Sequence, residues 1–572
     1  MKMKRTLALI IALVMLVAIL TACQQTDDSA PAATDSNDSD DASTADSPSA
    51  SNELEPITFT FYNEDAMRDQ PWNTLIAEEI TRLSGVSLTL QRPVGGADVT
   101  IPLMTASGDY PDLIFGKGVG TDQLMEAGAL VRLDDYIENS TYAKDFYGSL
   151  LGRMRYSEEN PHFYTIGTYP IYDPMWEPSS EMGVQLAVLE HFGYPQIRTI
   201  HDVERLIVDY IAEFPEIDGR PTFGFSLNNA DDWRYIIDVG NPGGFVAGFP
   251  DHGEWIIDEN TLEAYVKYFN PGVKEYFAWM NRMWNMGLVD PDSWTQTHDD
   301  WMAKIANGQV LAVVSPNWML EEPEQALRQG GLEDRTYSRM PINLRADIES
   351  KSRYDFGWSG SWGVGITVSC ADPDRAWEFL DWMHSDESQV LRAWGIEGIH
   401  YSYADGKRVQ DPEVAKLMVE DPDYKNSQGF DWIEPWPERG FGQLDSTGNP
   451  FRVETPETII NNYSDAARRA LSAYGVDMWA DLFPPPDSFP PSRVGAAWQI
   501  GVPTDSFIND YIQLVQRTLL PRMVPAAIMA PEDQFEEKWQ EFIDAIEAAG
   551  SDEAHAEFTE LVKATARLFG TN

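Results

Sequence analysis

Ile57, Phe59 and Phe61 alternate with Thr58 and Thr60, the period of a half-buried strand. Trp72, Ile76, Ile80 and Leu83 then follow at helical spacing, and Gly85 ends that helix. Val86, Leu88 and Leu90 alternate again. After a short helical piece, Pro111-Asp112-Leu113-Ile114-Phe115-Gly116 reads as a buried strand entering a glycine loop. Strand, helix, strand, helix, strand is an α/β pattern with a mainly parallel sheet. Farther on, Tyr276, Phe277, Met280, Met283 and Trp284 mark one core-facing side of a helix stopped by Gly287. A helix over about 299–307 ends at Gly308 and leads to the strand Val310 to Val314, with Pro316-Asn317-Trp318 as a loop at its end. Asp372 caps a helix whose first residue is Pro373. Residues 421–503 are rich in Pro, Gly, Trp and Asp and show few periodic runs besides a helix near 466–474; helix returns from about 531 to 568.

In open α/β sheets ligands sit beyond the carboxyl ends of strands. The loops Tyr62-Asn63-Glu64-Asp65 and Gly116-Lys117-Gly118 are therefore candidates for one wall of a cleft, through Asn63, Glu64 and Lys117. Catalytic signatures are weak. Gly116-Lys117-Gly118-Val119-Gly120 lacks the spacing of a dinucleotide loop or a P-loop, and Gly357-Trp358-Ser359-Gly360-Ser361 has serine where a nucleophile elbow needs its second glycine. The eight histidines include no metal-binding pair.

The amino terminus is an address. Lys2, Lys4 and Arg5 precede an apolar run from Thr6 to Ala22, the layout of an export signal, and the run ends in Leu20-Thr21-Ala22-Cys23. That ending resembles the lipobox of bacterial lipoproteins, which implies acylation of Cys23 and cleavage just before it. Residues 24–55 hold nine acids, no Lys or Arg and no aromatic residue, the composition of a disordered tether spanning roughly 30 Å. The 572 residues are too many for one ordinary core, so two or more lobes are expected. A net charge of −51 argues against nucleic acid as a partner. With Cys23 in the processing segment, Cys370 has no disulfide partner and reads as a small buried thiol.

Several local strings resemble family 1 extracellular solute-binding proteins. They are Ala106-Ser107-Gly108-Asp109-Tyr110-Pro111-Asp112, Gly128-Ala129-Leu130-Val131-Arg132-Leu133-Asp134-Asp135-Tyr136, Gly287-Leu288-Val289-Asp290-Pro291 with Gln296-Thr297, the Asp372–Trp382 helix, and Gly395-Ile396-Glu397-Gly398-Ile399-His400-Tyr401. The last resembles the large Gram-positive lipoprotein branch. The resemblance implies a type II, periplasmic-binding-protein-like α/β fold: two lobes joined by a multi-strand hinge with the ligand between them. It also implies an oligosaccharide-like solute, the permease subunits of an ABC importer as partners, a membrane reached through Cys23, a monomer and no catalysis; a secreted glycoside hydrolase or lyase is the competing reading. Many relatives carry an EF-hand-like loop. Here Glu213 to Pro221 keeps too few oxygen ligands, so no metal and no cofactor are expected.

Ala230-Asp231-Asp232-Trp233 and Ser315-Pro316-Asn317-Trp318 fall where maltodextrin-binding relatives place cleft-facing segments. Sugar rings pack their C–H faces on aromatic rings while Asp, Asn and Arg take the hydroxyls, which suits Trp233 beside Asp232 and Arg234. Trp176, Trp318, Trp358 and Trp362 complete the expected ligand-binding set. The expected division is a signal peptide at 1–22, acylated Cys and tether at 23–55, first lobe at 56–168, second lobe at 169–318, a return to the first lobe at 319–368, and hinge return, second-lobe remainder and carboxyl-terminal helices at 369–572.

Overall fold

The computed structural model describes residues 55–66, 69–94, 96–178, 181–421, 423–430 and 435–571. The signal peptide, Cys23 and all but the last residue of the tether lie outside the described residues. Residues from Leu54 onward form one compact unit. Its main strands are β1 (Ile57–Asn63), β2 (Val86–Gln91), β3 (Leu113–Gly116), β4 (Ile166–Gly167), β5 (Met182–Val184), β6 (Ala312–Val314) and β7 (Gly363–Ile366).

One sheet has the order β2-β1-β3-β7-β4. β1 runs parallel to β2 and β3, as the alternation and the intervening helices require, whereas β7 pairs antiparallel with β3 and β4. The helix Leu75–Ser84 is capped by the Thr74 hydroxyl and closed by Gly85 in the left-handed conformation. Trp72 stands ahead of this helix and donates its indole N–H to Thr81 at 2.8 Å. Phe59, Phe61, Ile76, Ile80, Phe115, Val364, Ile366, Phe379, Leu380 and Trp436 share the core on one face of the sheet.

A second, larger core gathers residues from Met182 to Leu344 and from Ala466 to Ala566 around the Pro271–Asn285 helix and the β5–β6 pair. The segment expected to return to the first lobe at residue 319 instead stays with this half. Met319, Leu320, Leu327 and Tyr337 pack on Trp301 and Ile305, and Tyr337 donates its hydroxyl to the Val310 carbonyl at 2.8 Å. Re-entry to the sheet comes with Trp358, Trp362 and β7. Pro316-Asn317-Trp318 also differs from the expected loop, since Asn317–Gln329 is a helix. Its apolar residues at three- and four-residue spacing bury one side and leave Trp318 on the solvent side of the first turn. The carboxyl-terminal helix divides at Gly550 into Phe535–Ala548 and Ser551–Phe569, and it is preceded by helix from Phe507 to Met529 that the sequence reading did not include.

The shared motifs are scaffolding. The Asp112 carboxylate accepts the Thr60 amide and hydroxyl at 2.8 and 2.7 Å, tying β1 to the entry of β3. Buried Asp290 takes the Ser226 hydroxyl and the Lys304 ammonium, both at 2.7 Å. Asp381 accepts three successive amides, Thr141 to Ala143. His400 sits beneath Gly395, where a Cβ would lie 2.6 Å from the imidazole. Cys370 is buried without a disulfide, and burial pushes its thiol up to about 11.

Candidate functional site

The carboxyl end of β1 delivers Asn63, Glu64 and Asp65. Asn63 is buried and its side-chain oxygen accepts the Asp65 amide at 3.0 Å, which turns the chain so that both following acids meet the β3 loop. Gly118 at φ 46° and ψ −123° adopts a conformation that side chains disfavour, and this bends Lys117 back toward them. The Lys117 amide donates to Glu64 at 2.8 Å and its ammonium pairs with Asp65 at 2.7 Å. Asp65 also accepts the Tyr169 hydroxyl at 2.7 Å. Burial pushes the Glu64 carboxyl up to about 7, against the opposing pull of the Lys117 amide and ammonium. Lys117 lies 4.5 Å over the Trp362 ring. Trp362 packs on Trp498, centroids 4.7 Å apart, and its indole N–H is buried without a hydrogen-bond partner. Trp498, largely exposed, donates to the Asp251 carbonyl of the larger half, so this pair links the two halves.

A second cluster lies on the larger half. Trp233 and Trp318 are 38 % and 54 % exposed, with ring centroids 6.4 Å apart and planes within 19°, so they form a near-parallel, exposed aromatic pair. The Arg234 guanidinium lies 4.3 Å from the Trp233 ring centre and pairs with Asp231. Asp232 opens the short Asp232–Tyr235 helix. Next comes a π turn, Ile236–Gly240, in which the Asn241 amide reaches back to the Ile236 carbonyl. Pro242 explains it: with no N–H to give the Asp238 carbonyl, the α-helical ladder cannot continue and the backbone widens. The turn carries Asp238 inward. Its carboxyl oxygens, Asn228 Oδ1, the Ser315 hydroxyl and Arg234 Nε are all buried without hydrogen-bond partners. Ser315 and Asn228 stand near enough to Asp238 to lower its pKa but outside hydrogen-bond geometry; burial outweighs them and pushes the acid up to about 7. The Asn228 amide and His298 Nδ1 lie 3.0 Å apart, and burial followed by the Arg234 charge holds this imidazole below its usual pKa.

The structure thus brings Trp233, Arg234 and Trp318 together, and separately Asn63, Glu64, Lys117 and Trp362. Trp358 departs from the expected reach into a cleft. Its indole N–H donates to the Thr168 carbonyl at 3.0 Å, its ring stacks on Tyr147, and it fills the space where Gly167 lacks a side chain. Half-buried Trp176 sets its edge toward Phe441 and its ring against Gly442. Sequence reasoning missed Trp498, Asp238, Asn228 and Ser315. An acid inside the apolar run Tyr235-Ile236-Ile237-Asp238-Val239 was a readable signal for one of them. Glu213 to Pro221 forms a two-residue hairpin pair, Glu216–Ile217 with Arg220–Pro221, and among the described residues no group of three or more His, Cys, Asp or Glu is placed to hold a metal.

Two α/β halves, aromatic surfaces on each and a composite contact between them define the class of two-lobed binding proteins. The chain belongs to the bacterial extracellular solute-binding protein family, whose model matches residues 76–416. Solved structures share the fold over nearly the whole body. An HMO-binding, ABC-transporter-associated solute-binding protein from Bifidobacterium longum infantis is 12% identical with TM-score 0.64, covering 89% of this chain and 99% of its own. The S. pneumoniae ABC-transporter substrate-binding protein FusA in complex with kestose is 13% identical with TM-score 0.64, over 89% and 99%. The alginate-binding protein AlgQ2 without calcium is 16% identical with TM-score 0.62, over 89% and 98%. None of the curated protein sequences compared with the chain matches it.

Proposed function

We propose that this solute-binding protein captures an oligosaccharide outside the cell and delivers it unchanged to the permease subunits of an ABC importer. One observation carries the reading: two exposed, near-parallel indoles stand beside buried polar atoms that have no hydrogen-bond partner among the described residues. Unpaired buried polar groups are costly, and a hydroxylated ring lying on the indoles supplies both the apolar face and the missing hydrogen bonds. Glu64, Lys117, Trp362 and Trp498 form the opposing wall, Asp232 is a further ligand group beside Trp233 in the chain, and Trp176 flanks the passage between the halves. The neighbours named as binding HMO, kestose or alginate support the solute class.

The folded body is anchored through an acylated Cys23 after removal of residues 1–22, with residues 23–55 as its leash, and works as a monomer. Lobe closure is stabilised only as far as the closed form binds the ligand more tightly than the open one. Calorimetry against a panel of oligosaccharides, with chromatography of the recovered sugar, tests this. One-to-one binding with intact sugar is expected; shortened sugar in excess of the protein supports the hydrolase or lyase reading instead.

A further inference from the structure

We infer that the glycan seated on the Trp233–Trp318 platform is uncharged or amino-bearing, and that the carboxyls of the site reject acidic glycans such as uronates. The inference rests on the reading of this site as a glycan site and adds its charge selection.

The charge inventory carries it. On the platform side the Arg234 guanidinium is already paired with Asp231, and Asp238 is a second acid without an ion pair among the described residues. His298 adds no charge near neutral pH, because burial and Arg234 keep it unprotonated. The opposing wall repeats the arrangement: Lys117 pairs with Asp65, and Glu64 is in surplus. A ligand carboxylate entering either cluster would displace an internal ion pair or stand beside an uncompensated acid. The carboxyls of Glu64 and Asp238, each pushed up to about 7 by burial, fit the same assignment. A protonated carboxyl donates one hydrogen bond to a sugar hydroxyl as readily as to a uronate, yet it compensates no charge.

Asp238 is more than a member of an acidic cluster. It is 3 % exposed, is carried inward by the π turn that Pro242 enforces, and faces Asn228 and Ser315, whose oxygens are unpartnered too. This is an acceptor-rich floor. It accepts from groups that donate, namely hydroxyls and ammonium. Arg234 Nε and the Ser315 hydroxyl can donate to a ligand in return, but the Arg234 charge is already engaged by Asp231, so a ligand carboxylate would find its charge uncompensated. The net charge of −51 adds a long-range field of the same sign, but salt screens that field and leaves contacts inside the site.

The test is calorimetry of the full-length protein in detergent at pH 7.5 and in 0.15 and 0.5 M NaCl. The probes are maltotetraose, cellotetraose, xylotetraose, mannotetraose and kestose, chitosan tetraose as the amino-sugar arm, and tetragalacturonate and tetraguluronate as the acidic arm. At least one neutral or amino probe should bind about 100-fold more tightly than either uronate, with the ratio persisting at high salt. A uronate bound as tightly as the best neutral probe overturns the inference while leaving the glycan-binding function standing; a ratio that collapses at 0.5 M salt overturns the assignment to the site carboxyls. Absence of binding by every probe defeats the glycan reading itself, and the inference with it. Asp238→Asn, close in shape, should raise uronate affinity relative to the neutral probe by about 5-fold or more; an unchanged ratio removes Asp238 from the charge selection.

Discussion

Truncating Trp233 to alanine tests the platform when affinity and stability are read on the same variant. A Trp side chain presents at most about 250 Å², so 38 % exposure leaves about 95 Å² for a ligand to cover. At about 25 cal/mol per Å², full coverage is worth about 2.4 kcal/mol and half coverage about 1.2 kcal/mol. Trp233→Ala should therefore weaken binding by roughly 8- to 60-fold. Its fold contribution is the buried remainder of the side chain, about 155 Å² and at most about 3.9 kcal/mol by the same area measure, part of it against Trp318 and Arg234. Losing it should cost about 2–4 kcal/mol and move the melting temperature by roughly 2–4 °C in a body of this size. Calorimetry and thermal unfolding on the same variant check both numbers. Unchanged affinity with a melting temperature several degrees lower would refute the platform.

A different outcome is expected at Trp358, where Trp358→Ala leaves affinity nearly intact but costs about 3 kcal/mol of stability, and Gly167→Ala destabilises similarly because its Cβ would fall 2.3 Å from Trp358 Cζ2; both are read by denaturant unfolding. Glu64, held at about 7 in the fold against an ordinary value of 4.5, binds more protons folded than unfolded, so its contribution to stability is present at low pH and declines as pH rises from about 4.5 through 7. Glu64→Gln should flatten that decline, and identical pH–stability curves for the two proteins would show the carboxyl is not buried as described. Cys23→Ala should release the protein from the membrane fraction into the medium, which fractionation and mass spectrometry of the amino terminus will register.

The α/β order was legible because strands β1 to β3 and their helices are local and strongly periodic and Gly85 marks the end of the first helix, just as Asp372 marks the start of the later Pro373–Trp382 helix. Trp318 was read onto a loop because Pro316-Asn317 looks like a turn, while the burial of Leu320 and Leu327 that makes it a helix depends on Trp301 and Ile305, contacts no local pattern displays. Trp358 and Trp362, four residues apart, show the limit for aromatic residues. One donates to Thr168 and fills the gap at Gly167; the other meets Lys117 and Trp498, and only tertiary packing distinguishes them. Asp238 owes its place to a missing amide at Pro242, a backbone effect visible only once the helix is known.

The most direct test of binding without turnover is a titration of the purified full-length protein with the best oligosaccharide of the panel, followed by prolonged incubation and mass analysis of the sugar. The account predicts a one-to-one complex from which the sugar is recovered at its original mass. Shortened or unsaturated sugar accumulating to many equivalents per protein would contradict it.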